Sequence, residues 1–394
     1  MLVRVHLRRD ARRAAKARLS WLRERQIARE QGPPDPAALA EVLDHRGERL
    51  GFGLYAPDAK IRVRMLQWGP EELPGDWLAR AISRARANRR SVGLGDDDTT
   101  GYREINTEGD GLPGLVVDRY EDERVVQITT AAMFARRAEI LDLLGAADRS
   151  IVVAPERAAK REGFTPGVWG PTLERLGYKE HGLRFWVPAP PTQKTGAYHD
   201  QRDNRALIAR LTARSGLPLL DLGAHAGGFS VHAAARGIDA LAVDASEPML
   251  EFVARNAAEL PDEAGLVGTL AADMFGPLDD IKLRGPFGTI VFDPPKIVSK
   301  PHDLVRAKAA MRRTLEKLLP RLAEGGLLVV CSCSHHLDGD ALDEVVEAAR
   351  GARPVACVGR RGPGPDHPVA EGHPEGHYLR VHLYRADGAD FEGS

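Results

Sequence analysis

The sequence predicts an α/β protein of several domains, and three observations carry that prediction. From about Leu217 onward, short apolar runs alternate with helical stretches, the rhythm of βαβ units around a parallel sheet covered on both faces. The first of these runs, LPLLDLG (217–223), ends in an acid and opens a glycine-rich loop. In a doubly wound sheet that is where the ligand binds. Residues 40–67, by contrast, alternate like short strands separated by turns, which marks a different, β-rich module at the N-terminal end.

Taken in order, residues 1–68 form that small β-rich module, with a hairpin turn at Asp44–Gly47. GPEELPG (69–75) is a breaker-rich linker, and a helix runs from Asp76 to about Arg90. Residues 100–180 mix the strands GLVVDRY and RVVQITT with a helix, AAMFARRAEILDLLG, and read as a small α+β unit. The C-terminal part continues with a helix at 227–237 and a strand at 238–246 that carries Asp244 near its end. A helix (247–260), a strand GTIVFDPP (288–295), a helix (302–322) and a strand GLLVVCSCS (326–334) follow. HYLRVHLYR (377–385) alternates and suits a closing strand.

With 394 residues, 43% hydrophobic and 28% charged, the chain can build a sizeable core and is not wholly disordered. Its formal net charge of −1 excludes a globally basic nucleic-acid binder. Local charge is another matter. Met1–Glu30 holds ten Arg/Lys against three acids, and Arg84, Arg86, Arg89 and Arg90 form a second cluster. Two gathered clusters point to a polyanionic partner, because counterion release rewards them. Three cysteines are too few for a disulfide framework and fit a reducing compartment. The opening residues show no secretory signal, and no apolar run reaches the roughly 18 residues of a membrane span. The expected location is cytoplasmic.

The cofactor site is expected at D-L-G-A-H-A-G-G-F (221–229). Gly223, Gly227 and Gly228 let the backbone approach a ligand closely, with His225 between them. Asp244, 23 residues after Asp221, can accept hydrogen bonds from both hydroxyls of a ribose, with Ala245 beside it. A strand-end acid at that distance also belongs to the dinucleotide fingerprint. The loop, however, is not G-x-G-x-x-G, so it spells no diphosphate cradle. Asp221 can face the cationic amino group of a methionine moiety, and Asp273 can meet an adenine amino group. The pattern favours S-adenosylmethionine over NAD, the bland reading being turn glycines with a helix-capping Asp.

The chemical site is expected on the next two strand ends. Asp293-Pro294-Pro295-Lys296 forms a stiff exit that can present a carboxylate and carbonyls to the polar edge of a flat base. Cys333 lies near the mouth of the following strand, while Cys331 and Cys357 read as small buried hydrophobes. A thiolate adding to carbon 6 of a cytosine would make carbon 5 enamine-like and ready to attack a sulfonium methyl. Asp293, protonated or sharing a proton, would stabilise the charge developing at ring N3. No metal is expected. C-x-C lacks a second pair at ligand spacing, and His335, His336, His367, His373 and His377 match no ligand template.

Several blocks resemble the bacterial 23S ribosomal RNA (cytosine-C5) methyltransferases. They are GDGLPGLVVDRY (109–120), EHGLRFWV (180–187), KTGAYHDQRDNR (194–205), GGF (227–229), DPPK (293–296), SCS (332–334) and DHPV…PEGHYL (366–379). They occur in the family's order and span nearly the whole chain. The resemblance implies a PUA-like RNA-binding domain (1–70), a helical linker (71–95), a small α+β domain (96–182) and a class I, Rossmann-like methyltransferase domain (183–394). It implies S-adenosylmethionine as methyl donor and Cys333 as nucleophile. Asp200, Gln201 and Arg202 become neighbours of the cofactor, as does Asp293, with Pro294, Pro295 and Lys296 against the substrate. The implied partner is large-subunit ribosomal RNA, with no membrane and with a homodimer allowed. The chain departs from the family pattern at Ala224-His225-Ala226 and at Ala197. A guanine-N7 subgroup shares DPP but lacks the thiol, so Cys333 discriminates. The competing readings are methylation of another base atom, a non-catalytic ribosome-assembly factor with a relict pocket, and, least favoured by the loop spelling, a dehydrogenase.

Overall fold

The computed structural model describes residues 2–191, 195–278, 285–298 and 300–386. They divide into two compact units. One comprises residues 1–176, 189–196 and 365–376; the other comprises 177–188, 197–364 and 377–394.

The first unit holds two sheets. Strands β1 (Leu2–Leu7), β2 (Trp21–Arg23), β3 (Ile27–Gln31), β4 (Leu39–Leu43), β5 (Arg49–Tyr55) and β6 (Ile61–Trp68) pair in the order β2-β6-β5-β4-β1-β3, with a short helix α1 (Arg12–Lys16) after β1. The expected hairpin joins β4 to β5, where Asp44 Oδ1 accepts the N–H groups of Arg46 and Glu48 at 2.7 and 2.9 Å. Helix α2 (Trp77–Ser91) leads into β7 (Gly101–Asn106), β8 (Leu115–Tyr120), β9 (Glu123–Ile128), β10 (Ser150–Ala154) and β11 (Gly167–Trp169), paired in sequence order. The single helix expected at 131–145 is two, α3 (Ala131–Ala135) and α4 (Arg137–Leu144), and α5 (Glu156–Glu162) follows β10.

The arginine cluster of α2 requires a correction. Arg89 is 1% exposed and grips Asp110 with two nitrogens at 2.6 and 2.7 Å. Arg86 donates to Glu104 at 2.5 Å and to the carbonyls of Leu143 and Leu144. These two charges hold the unit together and are not offered to a polyanion. Buried arginines need such partners, since an unpaired charge there is prohibitively costly.

The second unit, from Gly177, takes in most of the two-stranded pair β12 (Arg175–Glu180) and β13 (Leu183–Pro188), then α6 (Arg202–Thr212). There follow β14 (Leu219–Leu222), α7 (Gly228–Ala234), β15 (Ala240–Asp244), α8 (Glu247–Ala257), β16 (Val267–Ala271) and β17 (Phe287–Phe292). Then come α9 (Leu304–Leu318), β18 (Leu322–Ser332), α10 (Gly339–Ala349), β19 (Val355–Arg361) and β20 (Arg380–Ala386). The seven-stranded sheet has the order β16-β15-β14-β17-β18-β20-β19.

Period-two alternation sends Leu220, Leu222, Ile290, Phe292, Leu328 and Val330 to one face, against α9 and α10. Leu219, Val291, Leu327, Val329 and Cys331 go to the other, with Ile208 of α6 and Phe229 of α7. Burial on both faces explains why β14 and β17 are mostly apolar, Asp221 and Thr289 being their polar exceptions. The tail strand β20 does not close the edge. It runs antiparallel between β18 and β19, and β19 takes the edge.

Candidate active site

The order of the strands reverses direction between β14 and β17, and the expected site residues gather at the carboxyl ends around that point. Asp221 lies opposite Val291 and Leu222 opposite Phe292. The Asp293 N–H donates to the Leu222 carbonyl at 3.0 Å, so the two strand ends are tied. Gly223 follows with φ +92°, and a Cβ there would fall 2.3 Å from the Asp293 carbonyl oxygen. Only glycine fits both that backbone and that approach. His225 sits at φ +50° and donates its N–H to Asp244 Oδ2 at 2.8 Å. Asp244 Oδ1 accepts from the Ser246 N–H at 2.9 Å. The carboxylate is thus aimed by two backbone donors, and each oxygen keeps a further lone pair. Ala245 is exposed beside it, and Gly227 precedes α7.

Asp221 is fully buried. Its Oδ2 accepts from the Ser230 N–H and hydroxyl at 3.1 and 2.9 Å, while Oδ1 is buried with no hydrogen-bond partner. Burial pushes its carboxyl up to about 7, with the nearby Asp293 adding to the effect and Ser230 opposing it. An unfolded Asp titrates near 4. The folded state therefore binds the proton more tightly, and stability falls as pH rises from about 4 to about 7. Asp221→Asn is expected to flatten that decline, as measured by urea denaturation across the range.

On the neighbouring strands, Asp293 and Lys296 flank Pro294, which is buried, and Pro295, which is exposed. Asp293 is half-buried and accepts from Gln201 Nε2 at 3.1 Å. Gln201 is held in turn by Asn204, whose Nδ2 donates to Gln201 Oε1 at 2.8 Å and to the Gly362 carbonyl at 3.0 Å. Cys331, one register beyond Val330, is 0% exposed. Burial raises its thiol well above the ordinary range, Asp293 adds to this, and a Gln201 hydrogen bond opposes it. Cys333 lies just past the end of β18 and is half-buried. Asp273, after β16, is exposed, with Oδ1 accepting the Phe275 N–H at 2.9 Å. Arg202 is 1% exposed and donates to Asp203 at 3.0 Å. Asp200 is buried, and its Oδ2 accepts from the Tyr378 hydroxyl at 2.7 Å. Cys357 is exposed on the edge strand, contrary to the expectation of a core residue.

Three residues whose roles the sequence did not disclose hold the site's walls together. Glu180, at the end of β12, is 0% exposed. It accepts from Arg205 Nη1 on α6 at 2.9 Å and lies 2.9 Å from His232 Nε2 on α7. Burial would raise the Glu180 carboxyl; Arg205 and His232 outweigh it and hold it below the usual range. Arg205 Nη2 also donates to the Ala197 and Tyr198 carbonyls at 3.0 and 3.1 Å. The blocks EHGLRFWV, KTGAYHDQRDNR and GGF thus converge on one guanidinium. A Cβ on Gly228 would stand 2.3 Å from Arg205 Nε. Gly228→Ala is expected to cost about 1–3 kcal/mol by overpacking, read as a lowered denaturation midpoint. The signal the sequence offered for Glu180 was its place as the first residue of the block EHGLRFWV.

Comparison with known proteins was made on this geometry. A PUA-like domain model matches residues 5–68, and a model of S-adenosylmethionine-dependent methyltransferases matches residues 149–383. The chain is 34% identical over 347 residues to a Deinococcus radiodurans protein named ribosomal RNA large subunit methyltransferase, covering 84% of each. It is 31% identical over 393 residues to ribosomal RNA large subunit methyltransferase I of Shewanella denitrificans, covering 96% of this chain and 98% of that one. A Streptococcus mutans structure described as a SAM-dependent methyltransferase aligns with a TM-score of 0.76 at 17% identity, covering 98% of this chain and 100% of that one. A methyltransferase structure complexed with SAH aligns with a TM-score of 0.77, at the same identity and coverage. These last two likenesses are of fold. Among the described residues, no helix is long and apolar enough to cross a membrane.

Proposed function

Since the chain belongs to the S-adenosylmethionine-dependent methyltransferases, in the family of the ribosomal RNA large subunit methyltransferases, we propose that it methylates carbon 5 of a cytosine in large-subunit ribosomal RNA through a covalent adduct on Cys333. The observation that carries this reading is the contrast between two sulfurs of one strand. Cys331 is sealed in the core with its thiol pushed up, and Cys333 is half-buried beyond the strand end, next to the strand that delivers Asp293. Thiolates, not thiols, are nucleophiles, so only the second is suited to attack. Under this reading residues 1–70 hold the RNA and residues 183–394 carry the chemistry.

The residues present fit the cofactor. Asp244 would take the ribose hydroxyls, and the unpartnered Oδ1 of Asp221 gives the buried cationic amino group a counter-charge. Gly223, His225, Gly227, Ala245 and Asp273 would border it on the same strand ends, with Gln201 and Arg202 from the segment before them. When bound, S-adenosylmethionine supplies an electrophilic methyl group on a sulfonium. Cys333 adds to carbon 6 of a flipped cytosine, and Asp293 holds a proton at ring N3, which makes carbon 5 nucleophilic. Asn204 and Gln201 fix the Asp293 carboxyl, while Pro294, Pro295 and Lys296 line the substrate side. Loss of the carbon 5 proton to a base, a role solvent water can fill, then expels the thiolate.

Transfer of a tritiated methyl group to ribosomal RNA lacking the mark, followed by nucleoside mass spectrometry, tests this reading. 5-Methylcytidine is expected; 7-methylguanosine would replace the proposal with methylation at another atom, and no product with no cofactor binding would favour an assembly factor. Cofactor affinity is expected to rise with pH up to about 7 and then level off, because the cationic ligand favours ionised Asp221. Calorimetry on Asp221→Asn should show weaker and pH-independent binding.

A further inference from the structure

The edge of the seven-stranded sheet farthest from the proposed active site carries a cluster that the methyl-transfer chemistry does not use. Strands β19 and β20 are antiparallel, with Cys357 opposite Tyr384 and Arg360 opposite His382. A register shift between Cys357 and Gly359 puts one extra residue in the edge strand. Both Cys357 and Arg360 therefore face the same side as His382 and Tyr384, which stand two residues apart on β20. Asp343 reaches the cluster from α10. His382 Nδ1 lies 2.8 Å from Asp343 Oδ1, and the Tyr384 hydroxyl donates to the same oxygen at 2.6 Å. Arg360 Nη2 holds the other oxygen, Oδ2, at 2.6 Å. One ligand atom each from Asp343, Cys357 and His382 lies within 4.8 Å of the other two.

We propose that Asp343, Cys357 and His382 form a binding site for a single zinc ion that clips β19 and α10 to β20. The donor set is a carboxylate oxygen, a thiolate and an imidazole nitrogen, the three protein ligand types that zinc takes, at bond lengths of about 2.0–2.3 Å. The pieces are already graded for the task. His382 is 3% exposed and fixed, Asp343 is half-buried, and Cys357 is exposed on an edge strand, where its side chain has room to swing inward. Arg360 on Oδ2 orients the carboxylate so that Oδ1 faces the imidazole and the thiol, the part that outer partners play around zinc. Binding replaces the hydrogen between Nδ1 and Oδ1 by the metal. The ring carries its hydrogen on Nε2, the thiol proton passes to solvent, and the open side of the site leaves room for water as fourth ligand. The bonds formed are Zn–N, Zn–S and Zn–O, and nothing is oxidised or reduced.

The test uses the full-length protein and cobalt(II) as a spectroscopic stand-in for zinc. One equivalent of Co²⁺ is expected to give a thiolate-to-cobalt charge-transfer band in the near ultraviolet, and Zn²⁺ is expected to erase it by displacement. Cys357→Ser, a change at an exposed position that leaves folding intact, should abolish the band; Cys333→Ser should keep it. Zn²⁺ should also slow alkylation of Cys357 by iodoacetamide at least tenfold, followed by peptide mass spectrometry. It should raise the melting temperature of the parent protein but not that of Cys357→Ser, since only the native state offers the site. No band, a band that survives Cys357→Ser, or unprotected alkylation of Cys357 at saturating zinc would each overturn the site and leave the cluster a hydrogen-bonded clasp.

Discussion

Cys333→Ser is expected to abolish methyl transfer, with kcat falling about 10³-fold or more while the affinity for S-adenosylmethionine stays within a few-fold of the parent. A serine hydroxyl at the same place is barely ionised at neutral pH, so the proposed addition to carbon 6 would lose its nucleophile. Cys331→Ser gives the opposite pattern. It buries a hydroxyl in a cluster of Val291, Val329 and Val381, so it should lower stability more than turnover. The pair of variants separates a chemical thiol from a packing thiol on one strand. Methyl transfer by Cys333→Ser at the parental rate would remove the covalent mechanism while leaving the fold assignment intact.

The second large effect concerns stability. Arg205→Met leaves Glu180, which is 0% exposed, without its guanidinium partner and with His232 Nε2 still 2.9 Å away. Breaking one side of a buried pair typically costs 3–5 kcal/mol, and a loss of about that size is expected in chemical denaturation. The same change removes the guanidinium hydrogen bonds to the Ala197 and Tyr198 carbonyls, which loosens the segment that carries Gln201, so cofactor affinity should fall with it. Adding Glu180→Gln to Arg205→Met is expected to restore part of the lost stability, because the uncompensated charge is gone. By contrast, Glu347→Ala breaks the pair with Arg350, whose partners are 64% and 29% exposed. That surface change should leave the denaturation midpoint nearly unmoved. Equal effects at both places would show that the Glu180 network is not the keystone described.

Much of the second unit was legible because its signals are local. Strands β14, β17 and β18 announce themselves as apolar runs, and a run of that kind has few fates besides a sheet buried on both faces. Each ends in an acid, a proline pair or a thiol, and once strands are parallel their ends lie together. That is why the sequence alone places Asp221, Asp244, Asp293 and Cys333 at the carboxyl ends of one sheet. The hairpin at Asp44 was legible for the same reason, its turn chemistry being written in adjacent residues.

The fate of charged and exposed side chains was not local. Arg89 reads as part of a basic patch until its partners appear at Asp110 and, 277 residues away, at the Asp366 carbonyl. Cys357 sits in an apolar run that suggests a core, yet β20 inserts inside β19 and leaves that thiol at the edge. Glu180, Arg205 and His232 come from three elements, and His382 meets Asp343 across 39 residues of chain. By itself the sequence determined the alternation of strands and helices and the chemical groups at the strand ends, because these depend on near neighbours and period. Only the tertiary structure decided which charges are spent inside and which thiols stay reachable, because desolvation and pairing depend on atoms brought from far along the chain.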